Sequence, residues 1–128
     1  MDAPDLTALG AAQIAARVHD RRTSAVAIKD CIDVAGYPTR HGSAATATAP
    51  ARRDDELVKR LRAAGAVVLG KTRMPELAIW GFTHSALGTT RNPLDPPLDP
   101  GGSSAGPAPP GAAGSVALPF GTDSCGLN

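Results

Sequence analysis

Three side chains have the types and setting for nucleophile chemistry: Lys29, Ser103 and Ser104. Lys29 closes the run Ala25-Val26-Ala27-Ile28-Lys29 and is followed by Asp30. A lysine at its free pKa of ~10.4 is a poor base at neutral pH, and burial against apolar neighbours disfavours the charged form. A lysine emerging from an apolar strand is therefore a candidate proton acceptor. Ser103 and Ser104 follow Gly101 and Gly102, and glycines let a backbone approach its neighbours without a Cβ in the way. An un-ionised hydroxyl becomes a nucleophile, or passes a proton, only beside a base. On pattern alone the commoner reading is an ion-paired lysine, with Asp30 or Asp33 as partner, and a polar surface loop for the two serines.

The order of motifs favours the chemical reading. After Val26 to Asp30 come Ile32-Asp33-Val34-Ala35-Gly36, Pro38-Thr39 and Gly42-Ser43. The run Leu57 to Ala78, the segment Gly88 to Pro96, the GGSS loop and Gly121-Thr122-Asp123 follow in turn. From about Ala25 to Asp123 this series resembles the amidase signature family, serine hydrolases that cleave amide C–N bonds with a serine, cis-serine and lysine triad. The resemblance implies that Lys29 is the general base. It also implies that Ser103, placed after a cis peptide bond, relays the proton, while Ser104 supports the loop's hydrogen bonds. It implies a small-molecule amide as substrate and no cofactor.

The same resemblance locates a departure at the nucleophile. In the family Gly-Thr-Asp is followed by one variable residue, two glycines and the attacking serine. Here Ser124, Cys125, Gly126 and Leu127 follow, so Leu127 holds the serine's position. Its side chain has neither a lone pair nor a proton to give. Ser124 and Cys125 lie three and two positions early, and two extended residues shift a side chain by ~6–7 Å. That is beyond hydrogen-bond reach of a fixed relay. The N–H groups of Ser124, Cys125 and Gly126 remain candidates for an anion-binding, oxyanion-type turn. Pro107, Pro109 and Pro110 fall where the family has an alanine-rich helix, and a proline inside a helix costs ~3 kcal/mol. With Asn128 closing the sequence, the expectation is an N-terminal, internally deleted portion of such an enzyme, inactive by itself.

The elements that must position these groups can be read in order. Leu6 to His19 has a modest helical pattern with Asp5 as cap, which sets residues 1–24 apart as an N-terminal helical segment. Ala25 to Val34 alternates as a strand, with Lys29 and Asp30 near a bend. By the resemblance, helices that would cover this strand are missing between about Ser24 and Val26. Asp54 to Ala64 is the best helix, capped by Asp54 or Asp55, with Leu57, Val58 and Leu61 on one side and Gly65 after its end. Ala66 to Leu69 reads as a buried strand. Met74-Pro75-Glu76-Leu77 fits a helix start, with Leu77, Ala78 and Trp80 packing inward. Gly81 to Pro100 reads as loop. The strand–turn–helix grammar gives an α/β fold. With the resemblance it implies an incomplete amidase-signature-type open sheet flanked by helices, residues 25–128 forming a partial amidase core.

Bulk composition narrows the alternatives. The chain has 128 residues, enough for one core. Thirteen Lys and Arg balance twelve Asp and Glu, which offers no electrostatic case for nucleic acid or an anionic membrane. No apolar run approaches the ~20 residues of a membrane span, and no signal-peptide pattern is present, so a cytoplasmic protein is expected. Two cysteines, Cys31 and Cys125, make no disulfide framework, and His19, His41 and His84 have no metal-ligand spacing. A second function class is a non-catalytic remnant or interaction module docking on a full-length relative, since an incomplete sheet leaves a strand edge open to self-association. A phosphate-binding module built on GGSSAG ranks last, because it lacks the P-loop's spaced glycines and lysine.

Overall fold

The computed structural model of the chain describes residues 24–104 and 118–122, together with Ala16 and Asp20. Most of the expected N-terminal helix, the proline-rich stretch after the GGSS loop, and Ser124, Cys125, Gly126 and Leu127 lie outside the described residues.

A three-stranded parallel sheet organises the rest. Strand β1 (Ala25–Lys29) lies in the middle, with β2 (Val67–Thr72) on one side and β5 (Leu118–Phe120) on the other. Parallel pairing of β1 and β2 requires a crossover, and helix α1 (Glu56–Ala63) supplies it. All five residues of β1 are buried. The alternation expected for this strand is therefore absent, because a central parallel strand is covered on both faces and its residues read as a continuous apolar run. Val26, Ile28, Ile32, Val34, Val58 and Ala66 form the core, with Leu57, Leu61, Val68 and Phe120 against it. β2 runs three residues beyond the expected Leu69, since Gly70, Lys71 and Thr72 pair with Ala27, Ile28 and Lys29 past an irregularity in register.

Helix α1 forms where local signals coincide. The Asp55 carboxylate accepts the Leu57 N–H at 2.9 Å, capping the first turn. Val58 is fully buried, Leu57 and Leu61 are half-buried beside it, and Gly65 follows the C-cap with φ of 85°. Glu56 pairs with Arg60 at 3.1 Å on the exposed face, an interaction worth ~0.3–0.5 kcal/mol. The carboxylate of Asp54 reaches Arg62 at 3.0 Å and accepts the Ala35 N–H at 2.7 Å, tying the helix to the loop after β1.

Two local expectations are corrected. The segment at Glu76 makes only a single 3-10 turn, Glu76–Ala78, because Leu77 and Ala78 have φ of 52° and 59°. Left-handed backbone at consecutive residues cannot propagate a right-handed helix, so no inward helical face exists. Leu77, Ile79, Trp80 and Phe82 are consequently exposed, with the Trp80 and Phe82 rings stacked at a 5.6 Å centroid distance. Within the stretch expected as loop, β3 (His84–Ser85) and β4 (Gly88–Thr89) form a short antiparallel hairpin. Among the described residues, no helix is long and apolar enough to cross a membrane.

Candidate active site

Parallel strands deliver their carboxyl ends to one side of a sheet, the side where open α/β sheets hold ligands. Lys29 is the last residue of β1, and Thr122 follows β5 by two residues. Sheet pairing alone therefore brings together two positions 93 residues apart. The third participant is the GGSS loop. Gly102 lies so close to the preceding segment that a Cβ there would meet the Trp80 carbonyl oxygen at 2.6 Å and the Gly81 carbonyl carbon at 2.8 Å. Only a glycine permits that approach. The Thr83 hydroxyl donates to the Gly101 carbonyl at 3.2 Å, and the Asp99 carboxylate accepts the Gly101 N–H at 2.8 Å. The peptide bond between Gly102 and Ser103 is cis.

Lys29 is fully buried and Ser103 nearly so, with exposures of 0% and 4%. Lys29 Nζ lies 3.1 Å from Ser103 Oγ, 3.1 Å from Ser104 Oγ and 3.0 Å from the Thr122 carbonyl oxygen. The directions of two of these contacts follow from donor capacity. The Thr122 carbonyl can only accept, so Nζ donates to it. Ser104 Oγ donates its own proton to the same carbonyl at 2.8 Å, which leaves its lone pairs to accept from Nζ. The contact to Ser103 differs. It is made by an N–H when the lysine is an ammonium and by the lone pair when it is a free amine. In the second case Ser103 donates its hydroxyl proton toward Nζ.

The expected ion pair of Lys29 with Asp30 does not form. Asp30 is turned to Lys71, at 3.1 Å, and Asp33 accepts the Thr39 hydroxyl at 2.6 Å. Lys29 is also covered, despite the helices expected to be missing over β1. The strands on either side and the GGSS loop supply the cover.

Two participants have no counterpart among the expected site residues. The Thr122 carbonyl is a backbone group, invisible in residue type, although the motif Gly121-Thr122-Asp123 marks its position. Cys31 Sγ lies 3.5 Å from Thr122 Oγ1, a contact that only the two-residue step from Lys29 could have suggested. Ser124, Cys125 and Gly126 are outside the described residues, as is Leu127. Among the described residues, no group of three or more His, Cys, Asp or Glu side chains is arranged to hold a metal ion.

Comparison with known proteins agrees with this geometry. The Amidase family model matches residues 14–126. The putative amidase AmiB2 of Mycobacterium tuberculosis is 52% identical over 102 residues, covering 79% of this chain and 22% of that protein. The glutamyl-tRNA(Gln) amidotransferase structure from Thermotoga maritima superposes with a TM-score of 0.73 at 40% identity, over 76% of this chain and 22% of the other. The allophanate hydrolase of Kluyveromyces lactis gives 0.76 at 38% identity, over 80% and 17%. The chain thus spans about a fifth of the length of the curated relatives it matches. Its parallel sheet, its ordered motifs and these likenesses make it a member of the amidase family.

Proposed function

We propose that the chain carries the proton-relay half of an amide C–N hydrolase site, with Lys29 as general base and Ser103 as relay, and lacks the nucleophile. The observation that carries this reading is the 3.1 Å contact between the buried Lys29 Nζ and Ser103 Oγ. As a free amine Lys29 accepts the Ser103 proton, and Ser103 Oγ accepts the proton of an attacking hydroxyl, whose oxygen bonds to the amide carbon. Return of the protons along the same path converts the departing nitrogen to an amine or ammonia. Ser104 and Thr122 hold the lysine's other N–H groups and so orient its lone pair. General-base assistance of this kind is worth ~10²–10⁴ in rate. At the position that the family gives to the attacking serine stands Leu127, so the relay has no hydroxyl to activate.

Two measurements test the reading. The chain as it stands is expected to show no turnover of a simple aryl amide; turnover that disappears in Ser103→Ala would overturn the proposed inactivity. A variant combining Leu127→Ser with Cys125→Gly restores the family pattern and is expected to be labelled by a fluorophosphonate, which forms an Oγ–P bond and expels fluoride. Labelling should fall ~10²-fold or more when Lys29→Met is added. Equal labelling with and without Lys29 would refute the relay.

A second reading, an interaction module, is favoured by the outer edges of β2 and β5, unpaired among the described residues, and by the exposed Leu77, Ile79, Trp80 and Phe82. It predicts a molar mass that doubles with concentration in light scattering; a constant monomer mass across the range would remove it.

A further inference from the structure

A second concavity lies on the other side of the Lys29–Asp30 step. It has a volume of about 250 Å³ and is lined by Asp30, Tyr37, Pro38, Arg40, Lys71, Thr72 and Arg73, with neither Lys29 nor the GGSS serines on its wall. Three of these groups are cations and one is an anion. Lys71 and Asp30 neutralise each other, with Nζ and Oδ1 3.1 Å apart and both side chains about nine-tenths buried. Among the described residues, the two guanidinium groups have only neutral partners. Arg40 donates to Thr46 Oγ1 at 3.2 Å and to the Ser43 and Ala44 carbonyls, and Arg73 donates to the Thr89 carbonyl at 3.3 Å. No described carboxylate compensates their charge. Tyr37 and Pro38 contribute flat apolar surface to the same wall. Thr72, only 8% exposed, has a buried hydroxyl without a hydrogen-bond partner among the described residues.

We infer that this cavity is a binding site for a small aromatic carboxylate, separate from the lysine–serine site. The guanidinium fork matches a carboxylate in shape and charge. The tyrosine and proline faces suit a ring. The volume is below the ~300–1,000 Å³ of pockets for drug-sized ligands, which sets the ligand at about a single ring. The Asp30–Lys71 pair fixes the floor, and Lys71 is braced further by donating to Thr39 Oγ1 at 3.1 Å. An anion is thus met by preformed cations rather than by side chains that must first be ordered.

Titration of the full chain with benzoate, followed by two-dimensional amide NMR, tests the assignment. Saturable shifts are expected at Tyr37, Arg40 and Lys71 to Arg73. Benzamide, the neutral isostere, and inorganic phosphate, an anion without a ring, should each bind about tenfold more weakly or worse. Arg73→Gln, at an exposed side chain, should weaken benzoate by a similar factor with the spectrum otherwise retained, and Tyr37→Leu should weaken it independently. Benzamide equal to benzoate, phosphate equal to benzoate, unchanged affinity in Arg73→Gln, or shifts centred elsewhere would each overturn the proposal.

Discussion

Replacing Lys29 by alanine is expected to lower the unfolding free energy by ~3–5 kcal/mol, read from urea or guanidinium titration. Two losses add. The four-carbon stem sits at the end of a fully buried strand, and truncating a long buried side chain to alanine costs ~2–5 kcal/mol through lost contacts and the cavity left behind. The polar end is surrounded by oxygens of Ser103, Ser104 and Thr122, and the two serine hydroxyls lose a buried partner when it goes, at ~1–3 kcal/mol for each group left unsatisfied. Water entering the cavity offsets part of the second loss, which is why the total stays below the simple sum. A small domain has only ~5–15 kcal/mol of stability to lose, so the alanine variant should be largely unfolded at modest denaturant. Lys29→Met separates the contributions. The thioether refills the stem's volume and leaves only the hydrogen-bonding loss, so it should recover about half of the deficit. Equal destabilisation by alanine and methionine would show that packing of the stem contributes nothing. A loss under ~1 kcal/mol for both would show that the lysine is not held as described.

Legibility in the sequence varies with the physical origin of each feature. Helix α1 can be read almost to the residue, because cap, apolar spacing and terminal glycine are all local. The end of β2 cannot. Lys71 and Thr72 are extended because they pair with Ile28 and Lys29, and pairing leaves no mark in the residues themselves. The inward placement of Leu77 and Trp80 fails for a conformational reason. A helix begun at Pro75 would have buried them, and the positive φ values at Leu77 and Ala78 end it after one turn. At the site, the serines and the lysine stand out by type, yet their meeting across 74 residues is suggested only by the resemblance to a family. Periodicity carries no such long-range term. The Asp30–Lys71 pair is hidden for the same reason, since residue type and proximity point Asp30 toward its neighbour Lys29 instead.

The other large effect is expected far from the serines, at Gly42. Its φ is +69°, a region that costs an ordinary L-residue ~1–2 kcal/mol. A Cβ added there would collide with the Met74 carbonyl oxygen and sit 2.8 Å from that of Pro75. These are backbone atoms, so no side-chain rotation can relieve the contact. The backbone they belong to is itself fixed, since Met74 is 1% exposed and the Leu77 N–H donates to the His41 carbonyl at 2.8 Å. A bonded pair, Ser43 Oγ to Glu76 Oε1, locks the same two segments together one residue further on. Forcing a methyl group into such a contact costs ~1–3 kcal/mol more. Gly42→Ala should therefore destabilise the chain by ~2–5 kcal/mol, which thermal unfolding would report as a large fall in Tm. Gly36→Ala is the control: its φ is +84° but nothing lies within 4 Å of the added Cβ, so it should lose only the conformational part. If the two variants melt together, the approach of residue 42 to the Met74–Pro75 backbone is not made in solution. If Gly42→Ala is clearly the less stable, the segment carrying Trp80 and Gly81, on which Gly102 and hence Ser103 are seated, is anchored from its far end by that contact.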